Sequence, residues 1–466
     1  MSVKIPRQFY SSNRNLPRTL LTAPTIEPTI KKEKRVFDGM SPEQITLMVC
    51  PGQFRQVYIS ITDTLGEKFK ELGLVVEDKK VIGGPLDVLL NWALTPENSD
   101  YEFSKILLVN YRVYCKSVEL LQLVDKRCEE ILQLTGEPEK SLKQKWAKIT
   151  IFMKNWTELL PHDFVESDME KGIKDFIEKY SSQFAGIAQV KKMVDNAKSL
   201  KPNFDIFEKV ETESKSKIGD KLKNLNELTA EQIAQQLSLY EFELFKSIET
   251  KDFLGSAWTK KDKYERCPQL CYFLDHFNGV TNWVSSTLVN EPDAQVRAQL
   301  ISKYIDVAKI MYDNLNFTGF FEFYSGINSS VVSRLTKTME LVPNASERLE
   351  PMRKAADPSK SYAAYRKYIL ENKTKGYIPF IGVVIQDLTF IDEGNPDKTE
   401  KGDVNFEKCR MMAKQLFVIK ELQDNQHSAF KPLPFFKDFI TLVGSHKEDT
   451  ENALYQLSLK IQPRGN

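Results

Sequence analysis

The stretch from Gly376 to Gln423 constrains the fold of this chain more than any other. Apolar residues recur at helical spacing from Phe380 to Ile391 and again from Asn405 onward. Between the two runs lies a polar turn, Asp392-Glu393-Gly394-Asn395-Pro396. A period near 3.6 is typical of a helix with one buried face, and glycine and proline interrupt helices. The stretch therefore predicts a helical hairpin with two acidic residues at its tip. The buried face of its second helix is predicted to hold Phe406, Cys409, Met412, Ala413, Leu416 and Ile419.

Helical periodicity also dominates the rest of the chain, whereas the strict alternation expected of strands is scarce. The predicted fold class is therefore all-α, with two helical domains, the second of which carries the protruding hairpin. The predicted division is a disordered basic arm (1–35), an N-terminal helical region (36–200), a linker (201–227) and a second helical domain (228–464). Capping boxes at Ser41 and at Thr229 predict helix starts near the beginning of each helical part.

Composition and charge exclude several classes of function. The chain has 466 residues and a formal net charge of +1, whereas a dedicated nucleic-acid binder usually carries a basic excess. No apolar run approaches the roughly twenty residues of a membrane-spanning helix, and the N-terminus lacks an apolar signal-peptide core. We therefore expect a cytoplasmic protein. The basic cluster from Lys31 to Arg35 is interpreted as part of a solvated tail, with contact to anionic lipid as the alternative.

The sequence predicts neither a metal site nor covalent catalysis. None of the four histidines lies in a GxSxG or HExxH motif, and no P-loop is present. His276 lies in an apolar block and is interpreted as an ordinary helix residue. Cys267 and Cys271 are the closest cysteine pair, but no second pair is nearby, and structural zinc sites need four ligands. We therefore expect no metal, no cofactor and no bond-making chemistry.

Short motifs in and around the hairpin carry a family resemblance. They are Pro379-Phe380, Asp387-Leu388-Thr389-Phe390, Glu393-Gly394-Asn395-Pro396 and Asn405-Phe406. Together they resemble the signature of Ras-type guanine-nucleotide exchange factors. The resemblance covers essentially all of residues 228–464, through further blocks that include Trp258-Thr259-Lys260, Asn282-Trp283-Val284, Asn328-Ser329-Ser330 and Gln462-Pro463-Arg464. In that family the hairpin is a wedge that opens the nucleotide site of a small GTPase.

The N-terminal region is similar to the Ras-exchanger motif that precedes the catalytic domain in many members of this family. The matching residues are Asp100, Phe103, Leu107, Tyr111-Arg112, Glu119-Leu120-Leu121, Trp156, Asp163 and Phe164. The resemblance implies a structural module that braces the hairpin. The same residues are also compatible with ordinary core helices, and the two interpretations do not conflict.

The resemblance implies catalytic roles for three residues. Glu393 would lie near the Mg²⁺ and phosphate site of the GTPase, where a carboxylate competes with phosphate for the GTPase lysine; the alternative is a solvated turn carboxylate. Thr389 would be a wedge residue, shorter than the leucine of the Son-of-sevenless type and therefore less able to block the metal position. Asn328 would help to hold the second mobile loop of the GTPase, with a loop cap as the alternative.

The resemblance also implies a set of GTPase-binding residues. On the hairpin they are Gln386, Asp387, Phe390, Gly394 and Asn395, and for Asp387 a structural bond within the domain is an equal alternative. Phe273 and Leu274 would form an apolar socket for the mobile loop. Asp275 and Ser333 stand where the Son-of-sevenless type has arginine and tyrosine, so a Rap-like GTPase is as plausible a partner as Ras itself.

The predicted function is therefore promotion of GDP release from a Ras-subfamily small GTPase. No nucleic acid is expected as a partner, and a transient contact with the plasma membrane is expected only through the GTPase. The alternative function is a non-catalytic scaffold of the same fold, which would hold a GTPase without opening it. A metal hydrolase is a third class, but no ligand cluster is recognisable in the sequence.

Overall fold

The computed structural model describes residues 69, 71–77, 80–184, 186–199, 228–372, 375–425, 430–433, 439–440, 443 and 451–463. These residues fall within one unit that extends from Leu65 to Asn466. The predicted disordered arm (1–35), the helix start at Ser41 and the predicted linker (201–227) lie outside the described residues.

The N-terminal part of the described chain is a helical module preceded by a short ribbon of two strands. The strands are β1 (Val75–Glu77) and β2 (Lys80–Gly84). The helices are α1 (Leu86–Ala93), α2 (Phe103–Asn110), α3 (Ser117–Leu132), α4 (Glu139–Leu159), α5 (Ser167–Lys179) and α6 (Ile187–Ser199). Asp163 stabilises the centre of this module, because its buried carboxylate accepts hydrogen bonds from Tyr111 Oη, Arg112 Nη2 and Trp156 Nε1.

The C-terminal part is a larger helical module. Its first half consists of α7 (Ala230–Ser247), α8 (Lys263–Arg266), α9 (Pro268–Asn290), α10 (Ala294–Asp313) and α11 (Phe317–Ile327). Its second half consists of α12 (Ser330–Ser333), α13 (Thr336–Glu340), α14 (Ala345–Ala355), α15 (Ala363–Glu371), α16 (Ile381–Gly394), α17 (Phe406–Asp424) and α18 (Glu451–Ile461). The capping box predicted at the start of α7 is confirmed, since Thr229 and Gln232 exchange two hydrogen bonds of 3.0 and 3.1 Å.

A small sheet joins the two modules, and it is the one departure from the all-α prediction among the described residues. A two-residue strand, β3 (Val404–Asn405), pairs antiparallel with β2, which gives the order β1-β2-β3. Gly83 lies opposite Asn405, and a Cβ at Gly83 would lie 3.0 Å from the carbonyl oxygen of Val404. Glycine therefore fits this close approach of two backbones better than a residue with a side chain would. Otherwise the all-α fold is confirmed.

The helical hairpin is formed by α16 and α17, and the predicted buried face of α17 is confirmed. All six residues of that face are at most 5% exposed. The predicted turn, however, begins too early. Asp392, Glu393 and Gly394 form the last turn of α16, and the chain leaves the helix only at Asn395, where the backbone is extended. Proline at position 396 favours an extended conformation at position 395, so the helix ends there rather than at position 391.

None of the described helices combines the length and the apolarity that crossing a bilayer requires.

Candidate functional site

The last two turns of α16 present an accessible face at the tip of the hairpin. Ile385 and Leu388 point into the core, whereas Glu393 and Gly394 are exposed. Phe390 is 52% exposed, which is unusual for a phenylalanine on a packed helix. Asn395 is half-buried, and its side-chain amide donates to the carbonyl oxygen of Ile391 at 2.9 Å. An aromatic side chain, a carboxylate and a glycine without close neighbours thus meet on one surface.

The preceding turn of α16 is half-buried and partly committed to internal bonds. The hydroxyl of Thr389 donates to the carbonyl oxygen of Ile385 at 2.7 Å. Asp387 forms a two-pronged ion pair with Arg366 of α15, at 2.6 and 2.8 Å, and these hydrogen bonds raise the pKa of Arg366. The structure thus contains the bond within the domain that was the alternative prediction for Asp387. Gln386 differs, because its buried Oε1 has no hydrogen-bond partner among the described residues.

The two acidic residues at the hairpin tip have different environments. Asp392 accepts hydrogen bonds from Ser256 Oγ at 2.7 Å and from Lys408 Nζ at 2.8 Å. Burial alone would raise the pKa of Asp392, but these two hydrogen bonds hold it below its usual range. Lys408 also binds Asp397 at 2.6 Å, across the turn. Glu393 has no such contact among the described residues, so it is the acid whose carboxylate faces solvent.

The contact from Ser256 depends on an uncommon backbone conformation. Gly255 and Ser256 both adopt positive φ, at 57° and 49°. A positive φ is rare for residues other than glycine, asparagine and aspartate, and it costs free energy unless the surroundings compensate for it. Here the hydrogen bond to Asp392 is part of that compensation. The loop between α7 and α8 therefore supports the hairpin tip from the C-terminal module itself.

The N-terminal module supports the hairpin as well. The ring of Phe103 stacks on that of Phe406 with centroids 4.2 Å apart. Asn110 Nδ2 donates to the carbonyl oxygen of Cys409 at 2.9 Å, and Tyr114 Oη donates to that of Asp397 at 3.1 Å. Together with the β2–β3 pairing, these contacts hold the start of α17 and the turn before it. They form the brace that the N-terminal resemblance implied.

The residues predicted as an apolar socket on α9 lie beneath the surface. Phe273 is fully buried, and Leu274 is only 6% exposed. Asp275 is half-buried, and Tyr264 Oη lies 3.2 Å from both of its carboxylate oxygens. The aromatic surface here belongs instead to Tyr264 and Tyr272, which are 45% and 57% exposed. Both tyrosines lie outside the set of residues predicted from the sequence. The position of Tyr272 between the buried Cys271 and Phe273 is nevertheless typical of a helix edge with one outward ring.

The remaining predicted residues lie at the C-terminal ends of two helices. Asn328 is exposed and follows the last residue of α11, where its backbone amide donates to the carbonyl oxygen of Tyr324 at 2.9 Å. Ser333 is exposed at the end of α12. The cap that was the alternative for Asn328 is therefore formed by its backbone, and its side chain is accessible.

Two family models match this chain, one in each module. The RasGEF N-terminal motif matches residues 80–179, and the RasGEF domain matches residues 232–410. The first match lies within the predicted N-terminal region, and the second lies within the predicted catalytic domain. The chain belongs to the Ras-type guanine-nucleotide exchange factor family.

Curated members of this exchange-factor family are similar over most of the chain. It is 31% identical over 405 residues to Ras guanine nucleotide exchange factor P of Dictyostelium discoideum, an alignment that covers 83% of this chain and 26% of the relative. It is 29% identical over 409 residues to exchange factor W of the same organism, with 82% and 34% covered. Mouse Ras-specific guanine nucleotide-releasing factor 2 is 31% identical over 317 residues, with 67% and 26% covered. The chain thus spans about a quarter to a third of the length of these relatives.

Proposed function

We propose that this chain accelerates the release of GDP from a Ras-subfamily small GTPase by inserting the tip of the α16–α17 hairpin into the nucleotide site. One observation carries the proposal. The hairpin is held both by Ser256 and by the N-terminal module, while Phe390, Glu393 and Gly394 remain exposed at its tip. A supported helix end with an accessible acidic and aromatic surface suits a wedge.

The physical task of such a wedge is set by linkage. Nucleotide affinities of nanomolar to picomolar correspond to about 12 to 16 kcal/mol, so spontaneous release is slow. A protein that binds the emptied GTPase better than the loaded one lowers nucleotide affinity, and nucleotide weakens its own binding by the same factor. A helix suits insertion into a polar cleft, because its backbone groups are already hydrogen-bonded to one another. The bracing contacts reduce the loss of conformational entropy on insertion.

Glu393 supplies the electrostatic part of the proposal. Its carboxylate is exposed and unpaired among the described side chains, so it is available to the cationic groups that otherwise hold phosphate. In a site from which water is excluded, a carboxylate repels phosphate and attracts a lysine far more strongly than it does in bulk water. Thr389 contributes less, because its hydroxyl is bonded to its own helix.

Partner selection is proposed to depend on the surface around Asp275 and Ser333. Tyr264 and Tyr272 give this region exposed aromatic rings, and Tyr264 holds the carboxylate of Asp275. An acid and a serine at these places favour a GTPase whose mobile loops differ in charge from the preferred partner of the Son-of-sevenless type. A Rap-like GTPase is therefore as plausible as Ras.

The experiment is release of a fluorescent GDP analogue from Ras, Rap and Ral GTPases in the presence of the full chain. We expect faster release from at least one of them. Glu393→Ala is expected to lower the catalysed rate at saturating exchange factor by about tenfold, which corresponds to about 1.4 kcal/mol of activation free energy. Glu347→Ala is the matched control, because Glu347 is an exposed glutamate on α14, outside the hairpin.

Two results would contradict the proposal. The first is an unchanged release rate for every GTPase in the panel. The second is stable binding to a loaded GTPase that added nucleotide does not weaken, which is the behaviour expected of a scaffold. If the Glu393 and Glu347 variants were equally active, the chain would still be an exchange factor, but Glu393 would have no role in catalysis.

The cellular setting belongs to the same proposal. We expect the protein to act in the cytoplasm and to meet the plasma membrane only where its GTPase is anchored. Fractionation of cells with and without the activated GTPase tests this. Tight membrane association in the absence of the GTPase would argue against it.

A further inference from the structure

A cluster of three ionisable side chains lies in the core of the C-terminal module, away from the hairpin tip. Glu241 of α7, His276 of α9 and Glu322 of α11 bring one ligand atom each within 4.8 Å of one another. Both glutamates are fully buried, and His276 is only 8% exposed. No arginine or lysine forms an ion pair with either glutamate among the described residues.

Several buried polar atoms of this cluster lack a hydrogen-bond partner within the described residues. Four buried atoms have no hydrogen-bond partner within the described part of the chain: Glu241 Oε1, His276 Nε2 and both carboxylate oxygens of Glu322. Buried polar atoms are normally hydrogen-bonded, and each exception calls for a physical reason. Four such atoms on three neighbouring side chains point to a missing common partner rather than to four separate defects.

Asn316 orients the carboxylate of Glu241 within the cluster. Its Nδ2 donates to Glu241 Oε2 at 2.5 Å and to Ser238 Oγ at 2.8 Å. This leaves the other oxygen, Oε1, facing His276 Nε2 at 3.5 Å. Donors that fix the second oxygen of a ligating carboxylate are a regular feature of metal sites.

We propose that Glu241, His276 and Glu322 bind one divalent transition-metal cation, of which zinc fits best. Two carboxylates and a neutral imidazole together balance a charge of +2, which removes the cost of burying two acids side by side. One ligand atom from each of the three side chains provides three coordination positions, and a water molecule would complete the tetrahedron.

The donor types and one ligand–ligand distance favour zinc over the alternatives. Zinc–ligand bonds of about 2.0 to 2.1 Å in a tetrahedron place neighbouring ligand atoms roughly 3.3 Å apart. The 3.5 Å between Glu241 Oε1 and His276 Nε2 is close to that separation. Calcium and magnesium prefer six or more oxygen ligands, whereas imidazole suits zinc and its neighbours in the first transition row.

The competing occupant is a proton shared between the two glutamates. Burial, and then the neighbouring Glu241, raise the pKa of Glu322 well above its usual range, so one proton would also relieve the repulsion. One proton forms a single hydrogen bond, however, and leaves at least one oxygen of Glu322 without a partner. A cation takes one ligand atom from each of the three side chains and so also gives His276 Nε2 a partner. The metal therefore accounts for more of the cluster than the shared proton does.

The cation would connect two helices that lie next to residues predicted to contact the GTPase. His276 follows Asp275 on α9, and α11 ends next to Asn328. A metal bound between α7, α9 and α11 would fix α9 and α11 relative to each other. The proposal does not depend on the exchange reaction, and the two can fail separately.

The first measurement is the metal content of the wild-type full chain, by inductively coupled plasma mass spectrometry after dialysis against metal-free buffer. We expect about one zinc per chain. Replacement by Co²⁺ should give the visible spectrum of a four-coordinate site without a thiolate charge-transfer band. A wild-type chain that contains no metal and binds no added Zn²⁺ or Co²⁺ would overturn the proposal in favour of the shared proton.

Variants then assign the ligands. Glu322→Gln and His276→Gln are expected to lose at least about nine-tenths of the metal. Glu347→Gln and His162→Gln are matched controls of the same residue types outside the cluster and should keep it. Cys271→Ser tests the neighbouring Cys267–Cys271 pair, whose sulfur atoms lie 3.7 Å apart. Loss of the metal from the cysteine variant with retention in Glu322→Gln would also overturn the proposal.

Discussion

Lys408 Nζ lies 2.8 Å from Asp392 Oδ1, and this ion pair joins the two helices of the hairpin at their tip. The Lys408 side chain is only 5% exposed, and the same ammonium group also binds Asp397 at 2.6 Å across the turn. One lysine therefore fixes the end of α16, the turn and the start of α17 relative to one another. The rigidity proposed for the wedge rests on this lysine more than on any other single side chain.

Replacing that lysine tests the rigidity of the tip. Lys408→Met keeps most of the apolar volume but leaves Asp392 and Asp397 without their common cation. We expect a loss of about 2–4 kcal/mol in the free energy of unfolding, because an uncompensated buried charge is costly and partial exposure moderates the loss. Urea titration measures it. Lys414→Met, at an exposed lysine of the same helix, is the control and should change stability by less than about 0.5 kcal/mol.

The brace from the N-terminal module makes a second prediction. Phe103 is buried against Phe406, so Phe103→Ala removes a stacked ring and leaves a cavity at the start of α17. We expect a cost of about 3–5 kcal/mol. Hydrogen exchange should quicken at residues 404–410 and in β2 together. Tyr101→Ala is the control, since Tyr101 is 82% exposed. Unchanged hydrogen exchange at residues 404–410 would show that the two modules do not support each other.

The helices were predictable from the sequence because their signal is local. The six apolar residues on α17 recur at a period near 3.6, and all six are buried. The β2–β3 sheet was not predictable, since strands of five and two residues show no alternation. The support of Asp392 by Ser256 joins residues 136 positions apart and leaves no local trace. Glu322 did leave a local signal. An acidic residue among the phenylalanines of α11 either destabilises the core or has a specific role there.

Stability should also depend on pH through Asp252. Burial, and then the charge of Glu249, raise the pKa of the Asp252 carboxyl to about 7, while its Oδ2 accepts a hydrogen bond from the backbone amide of Leu270. An acid whose folded pKa is raised binds its proton more tightly in the folded state. The free energy of unfolding should therefore rise as pH falls from about 8 towards 5, by about 2–3 kcal/mol from this group.

Asp252→Asn separates this group from all others. The amide oxygen can still accept from Leu270, but it carries no charge at any pH. We expect the variant to be more stable than wild type at pH 8 and to lose most of this pH dependence. Asp175→Asn, at an exposed aspartate of α5, should leave the profile unchanged. Parallel profiles for the wild type and Asp252→Asn would contradict the prediction.

The ion pair between Asp387 and Arg366 makes it possible to test whether Asp387 has a structural role or contacts the GTPase. Both carboxylate oxygens of Asp387 are bound by Arg366, so we expect Asp387 to position α16 against α15 rather than to touch the partner. Asp387→Asn and Arg366→Met should then lower the rate of GDP release by similar factors, and the double variant should be no slower than either. Unfolding of the same four proteins should give a coupling free energy of about 0.5–1.5 kcal/mol, moderated by the partial exposure of the pair. A direct contact would instead make Asp387→Asn the slower variant, with losses in exchange rate that multiply in the double variant.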